Sequence, residues 1–301
     1  MTFVGIDRVT YGVSNMDNAC RFFTDWGVSK ISRTNGRALF RTVNHSEILL
    51  LPRGHKSLPR GIGRGSTVRE ITWGVTSKRD VTVIANELSK DRDVTEDKDG
   101  TIHTTDDLGL GIAFRRTKRR PYKELRAPLN SPGTVERIDQ RATFYPRAIP
   151  QSIGHTVWYV RDPRKIEAFY IDRLAFFVTD RFANDAGVFM RCQAAGGHHN
   201  HVVFKSPDSR QRLDHVAFLV RDINEVMAGG KCITGKGWKT AVGPGRHWMS
   251  SAYFWYFENP SGAMAEYFTD EDHVTADWQP QTVERTRESF AEWFLPNGLG
   301  A

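Results

Sequence analysis

His155-Thr156-Val157-Trp158-Tyr159-Val160-Arg161-Asp162-Pro163 is an apolar run, rich in β-branched and aromatic residues, that stops abruptly at a helix start. Its composition predicts a strand. Asp162 then reads as an N-cap with Pro163 at the first helical position, where the missing N–H does no harm. Three other stretches end in the same way: Thr10-Tyr11-Gly12-Val13-Ser14-Asn15, Thr72-Trp73-Gly74-Val75-Thr76-Ser77 and Ala217-Phe218-Leu219-Val220-Arg221-Asp222. Their reference valines stand at 13, 75, 160 and 220, so the spacings are 62, 85 and 60 residues. A near-constant period with one long gap is the signature of a repeat.

Outward from each strand the pattern continues. Ile166, Phe169 and Tyr170 fall at helical spacing after Pro163, and Val81, Val83, Ile84 and Leu88 follow Ser77. Asp222 can cap a helix carrying Ile223, Val226 and Met227. Apolar or alternating runs come next, at 37–42, 47–51, 188–192 and 201–205. Each unit therefore reads strand, helix, then about three strands. The expected architecture is α+β, two domains each of two βαβββ modules. The domains are 1–120 and 151–270, joined by 121–150, where five of the chain's thirteen prolines gather, with a tail at 271–301.

The 301 residues suffice for two such domains, and 39% hydrophobic with 26% charged residues excludes a mainly disordered chain. No apolar run reaches the roughly 18–20 residues of a membrane span, and the N-terminus lacks a secretory pattern, so a cytoplasmic protein is expected. Cys20, Cys192 and Cys232 are too few and scattered for a disulfide framework or a cysteine-based zinc site. A net charge of +7 raises the question of nucleic acid. Its densest run, Arg115 to Arg120 before Pro121, reads instead as a solvated linker, since no nucleic-acid-binding module surrounds it.

Chemistry concentrates in the second half. His155 opens one repeat strand and His215 the matching strand of the next module, while Glu266 interrupts the apolar Ala-Met-Ala-Glu-Tyr-Phe. A lone histidine at a strand start is usually an ordinary hydrogen-bonded residue, but a carboxylate in an apolar strand is costly without a partner. The repeat supplies a control. Strand register puts Arg8, Glu70 and Ala113 of the first half where His155, His215 and Glu266 stand in the second. The fold therefore does not require them, and two imidazoles with one carboxylate suit a facial-triad Fe(II) site.

The stretch Gly243-Pro244-Gly245-Arg246-His247, seven residues, Trp255-Tyr256-Phe257-Glu258-Asn259-Pro260-Ser261-Gly262, three residues, Glu266 resembles the ring-cleavage signature of the type I extradiol dioxygenases. These belong to the vicinal oxygen chelate superfamily, with its glyoxalase-like fold. Every fixed element matches except Trp255, which is bulkier than the pattern. The resemblance implies an enzyme of aromatic-compound degradation that cleaves a catecholic ring beside its hydroxyls with dioxygen. It implies Fe(II), less readily Mn(II), on His155, His215 and Glu266, and a homo-oligomer. It also implies supporting roles for His199, His247 and Tyr256.

Gly196-Gly197-His198-His199-Asn200-His201 offers three histidines for the acid–base role. The resemblance favours His199; strand alternation puts His198 on the opposite side and leaves His201 as the rival. Val157, Trp248 and Met249 are expected to shape the ring pocket from their nearness to site residues. Trp248-Met249-Ser250 departs from the small polar and acidic residues of the biphenyl-type branch, which bears on the substrate. The same fold also hosts metal-dependent isomerases, epimerases and thiol transferases, and metal-free binding proteins. The former lack the signature and the latter the triad.

Overall fold

The structure, a computed structural model, describes residues 1–121 and 127–299. Part of the expected connection, residues 122–126, and the last two residues of the tail lie outside the described residues. Two large sheets carry an α+β fold of repeated βαβββ modules. The first has eight strands between 3 and 116 and the second has ten between 152 and 294.

The helix starts follow from capping chemistry. Asn15, Ser77, Asp162 and Asp222 each accept a hydrogen bond from the backbone N–H three residues on, satisfying a donor that the first turn leaves free. Pro163 opens a short helix, Pro163–Ala168, which widens into a π turn at Phe169–Arg173.

In each sheet the opening strands of two modules lie side by side at the centre. Phe3–Val13 runs antiparallel to Thr67–Val75, and Ser152–Val160 runs antiparallel to Arg212–Leu219. Each is flanked by the last strand of its own module, in parallel. This order makes each sheet pseudo-twofold about its centre. It also fixes which residues meet: Arg8 pairs with Thr72 as His155 pairs with Ala217, and Thr10 with Glu70 as Val157 with His215. Thr72 pairs in turn with Ala113 as Ala217 pairs with Glu266.

Between the sheets lies one continuous apolar cluster to which both halves contribute. Trp26 stacks on Tyr267 with ring centres 3.6 Å apart, and Tyr267 Oη donates to the Trp26 carbonyl at 2.7 Å. Trp73 packs edge-on against Phe176 at the other end of the cluster. Trp255, the residue that departs from the signature, is accommodated by its neighbour across the core. Gly230 in the helix Ile223–Gly235 lies so near that a β-carbon there would meet the Trp255 ring at 1.9 Å.

The basic run at 115–120 is a solvated linker only in part: Arg116, Lys118 and Arg120 are exposed, but Arg115 and Arg119 bind into the first sheet. Arg115 lies in the strand Gly111–Arg116, is buried, and donates to Asp7 at 2.9 Å and to Glu47 at 3.3 Å. Arg119 donates to the Val4 carbonyl at 2.7 Å. Buried carboxylates recruit Arg115, and a backbone carbonyl Arg119, into the first sheet, a long-range pairing that composition could not reveal. The tail contributes two short strands, Gln281–Val283 and Trp293–Phe294, one at each edge of the second sheet. Among the described residues no helix is long and apolar enough to cross a membrane.

Candidate functional site

His155, His215 and Glu266 come from three adjacent central strands of the second sheet, and all three are buried. Nε2 of His155 lies 3.2 Å from Nε2 of His215 and 3.1 Å from Oε2 of Glu266, and His215 Nε2 is 3.2 Å from the same oxygen. The Nδ1–H of His215 donates to Asp214 Oδ2 at 2.7 Å, which turns Nε2 toward the other two atoms. Three electron-rich atoms converge on one point.

The electrostatics make a single demand. Burial alone would push Glu266 up, but its contacts with the His155 and His215 imidazoles hold its carboxyl well below the ordinary range. Burial pulls His215 down, yet its bonds to Asp214 and Glu266 prevail and raise it to about 9. Both shifts call for positive charge where the donors meet. Burial lowers His155 to about 4, keeping it neutral and able to offer a lone pair. Its Nδ1 and Glu266 Oε1 are buried with no hydrogen-bond partner. Two neutral-capable imidazoles and a carboxylate fit a divalent cation such as Fe(II) or Mn(II).

These atoms form the floor of a cavity of about 370 Å³ with a largely apolar wall. Val157 and Met249 line it, as expected, together with Phe182, Phe189 and Phe204. Trp248 does not. It is 47% exposed and lies outside the lining, because the strand ends at Arg246 and the chain bends through 248–250, leaving His247 and Met249 on the cavity and Trp248 outward. Tyr256 and His247 stand on the wall. The carbonyl of Phe290 can only accept, so His247 Nδ1–H donates to it at 2.8 Å, and its Nε2 lies 2.9 Å from Tyr256 Oη. Burial raises Tyr256 well above an ordinary phenol, keeping the hydroxyl protonated.

The three neighbouring histidines separate cleanly. His199 lines the cavity with its ring centre 4.1 Å from that of His155, and burial, with His155 and His198 beside it, holds it well below the ordinary value. His201 turns into the core against Tyr170 and Trp73, is bonded to Thr156 Oγ1, and is lowered to about 3 by burial. His198 is not across a strand from His199. Residues 198–200 form no strand, and the two Nδ1 atoms lie 3.0 Å apart.

Sequence reasoning missed Asp214 and the part of the tail that roofs the cavity, including Arg285, Thr286, Ser289 and Phe290. Adjacency of Asp214 to His215 was the only signal for the first. The tail carried none beyond its aromatic content.

In the first half two of the three equivalent positions hold charged pairs, and the third is Ala113. Arg8 Nε donates to Glu47 Oε2 at 2.9 Å, and Glu70 Oε2 lies 2.8 Å from His103 Nδ1. Among the described residues His155, His215 and Glu266 form the one group of three that could hold a metal ion in this way.

The family model described as Glyoxalase/Bleomycin resistance protein/Dioxygenase superfamily matches residues 152–267. Metapyrocatechase 2 of Cupriavidus necator is 31% identical over 167 residues, which is 56% of this chain and 50% of that protein, so the match spans half of the relative's length. The manganese-dependent 2,3-dihydroxybiphenyl 1,2-dioxygenase of Geobacillus genomosp. 3 is 23% identical over 308 residues, 94% of this chain and 92% of that one. The solved structure of a Mn(II)-bound glyoxalase from Novosphingobium aromaticivorans shares the fold, with a TM-score of 0.77, 21% identity, and coverage of 100% of this chain and 92% of that one.

Proposed function

We infer, from the premise that residues 152–267 belong to the glyoxalase/bleomycin resistance protein/dioxygenase superfamily, that this chain is an extradiol dioxygenase of aromatic degradation. It cleaves the ring of a catecholic substrate beside the two hydroxyls, and both atoms of dioxygen enter the open-chain product. The observation that carries the reading is the convergence of His155, His215 and Glu266 on the floor of an apolar cavity wide enough for an aromatic ring.

His155, His215 and Glu266 would hold Fe(II), with Mn(II) the alternative that the name of the Geobacillus relative raises. When bound, the ion supplies Lewis acidity to the catechol hydroxyls and an electron path between the ring and dioxygen. Val157 and Met249 hold the ring against the floor and exclude water from it. His199 accepts a proton from a substrate hydroxyl and later returns one. Tyr256 Oη, tethered to His247, orients oxygen atoms of the bound substrate by hydrogen bonding. The resemblance also implies a homo-oligomer, which sedimentation would test.

The deciding experiment loads the protein separately with Fe(II) and Mn(II) and offers a panel of substituted catechols under air. Oxygen uptake in equal amount with a new absorbance of the ring-opened product is expected from one of the two forms. No uptake by either form with any catechol overturns the reading.

A further inference from the structure

Behind His199, away from the cavity, a chain of hydrogen bonds runs into the protein. Asp180, His198 and His199 are all buried. Asp180 uses both carboxylate oxygens: Oδ1 accepts the backbone N–H of Gln281 at 2.7 Å, and Oδ2 lies 2.8 Å from Nε2 of His198. Nδ1 of His198 is in turn 3.0 Å from Nδ1 of His199. The His198 carbonyl accepts from Thr179 Oγ1 at 2.7 Å, so backbone and ring are both fixed.

The proton positions follow from what each group can do. A carboxylate only accepts, so Nε2 of His198 carries the hydrogen. With a single N–H on His198, committed to Asp180, its Nδ1 accepts, and among the described residues the donor facing it is Nδ1–H of His199. Neutral His199 then keeps its lone pair on Nε2. No hydrogen bond to that atom is made by the described residues, and the side chain borders the cavity.

We propose that Asp180 and His198 are positioning residues that fix His199 in its Nδ1–H tautomer, so that Nε2 faces the substrate as a proton acceptor. This rests on the ring-cleavage reading of the site. The opposite tautomer would present N–H to the cavity and could not take the first proton. The tail takes part, because Gln281 holds the second oxygen of Asp180.

The test is the ¹⁵N–¹H correlation spectrum of histidine-labelled full-length protein loaded with Zn(II), a diamagnetic occupant of the same donors. His198 should appear as Nε2–H and His199 as Nδ1–H; His199 as Nε2–H in the wild-type protein overturns the proposal. In Asp180→Asn the amide can donate to His198 and reverse the chain, so His199 should move toward Nε2–H. Its kcat on a catechol should fall about 10- to 100-fold, with KM and metal content within twofold, the usual scale for groups that orient a site from behind. Asp180→Glu should recover part of the loss. An unchanged kcat with the tautomer reversed overturns the proposal. Should Asp180→Asn not fold, the wild-type spectrum decides alone, and His198→Gln gives a second variant on which the same loss is expected. The stated tautomers in a wild-type protein inactive on every catechol would sink the ring-cleavage reading and leave the hydrogen-bond chain standing.

Discussion

Oε2 of Glu266 is within 3.2 Å of two imidazole nitrogens, and Oε1 is 3.6 Å from a third, that of His247. Removing any one donor leaves two, which cannot chelate as three do. His155→Ala, His215→Ala and Glu266→Ala should therefore each abolish ring cleavage and strip most of the bound metal, as elemental analysis would report. Full occupancy in all three variants would contradict the assignment. Tyr256 differs because it lies beside the donors without being one of them. Tyr256→Phe should keep metal content and fold while lowering kcat about 10- to 100-fold; wild-type turnover would reduce the tyrosine to wall filler. At this scale the three donors were legible because the repeat offered Arg8, Glu70 and Ala113 for comparison. Asp180 and Asp214 were not, since an aspartate within a strand has many ordinary uses and only the folded contacts distinguish these two.

At the scale of elements, the helix Ile223–Gly235 and the strand Tyr253–Glu258 are matched by subtraction: the helix gives up a side chain at Gly230 where the strand carries Trp255. Glycine to alanine inside a helix ordinarily gains about 0.5–1 kcal/mol. Gly230→Ala should instead cost about 1–3 kcal/mol, the range for an overfilled core, read from the urea midpoint; a gain would show that the ring has room to move. In the first sheet, Arg8, Arg41 and Arg115 converge on Glu47. Burial pushes that carboxyl up, but the guanidinium groups of Arg8 and Arg115 outweigh it and bring it from 4.5 to about 2. A carboxyl lowered by folding stabilises above its unfolded value and loses that contribution as acid protonates it. Stability should fall between pH 4.5 and about 2, and Glu47→Gln should flatten the fall while being less stable at neutral pH. Urea midpoints across this range check both. Strands and caps were legible because period and N-cap residues are local. Arg115 and Arg119 were misread because their partners lie at positions 4, 7 and 47.

For the whole molecule, the shared core between the sheets decides how it unfolds. Trp26 on Tyr267 and Trp73 on Phe176 join the halves through fully buried aromatic contacts rather than a wet interface. One cooperative transition is expected, with tryptophan fluorescence and far-ultraviolet circular dichroism falling together. Tyr267→Phe leaves the Trp26 carbonyl without its donor and should lower that single transition by about 1–3 kcal/mol. Two separated transitions would mean the halves hold together less tightly than their packing requires. The repeat made the number of modules legible, but nothing local in the sequence could say which faces of the sheets would meet.

The Arg8–Glu47 and Glu70–His103 pairs also bear on transplantation. Writing Arg8→His, Glu70→His and Ala113→Glu into the first sheet would reproduce the donor set letter for letter. Glu47 would lose one of its arginines, and His103 would face an imidazole instead of a carboxylate. A carboxylate buried in place of the Ala113 methyl would add negative charge to a sheet that already holds Asp7 and Glu47. The copied triad would inherit the geometry and not the surroundings, so the two halves, alike in backbone, are no longer interchangeable hosts.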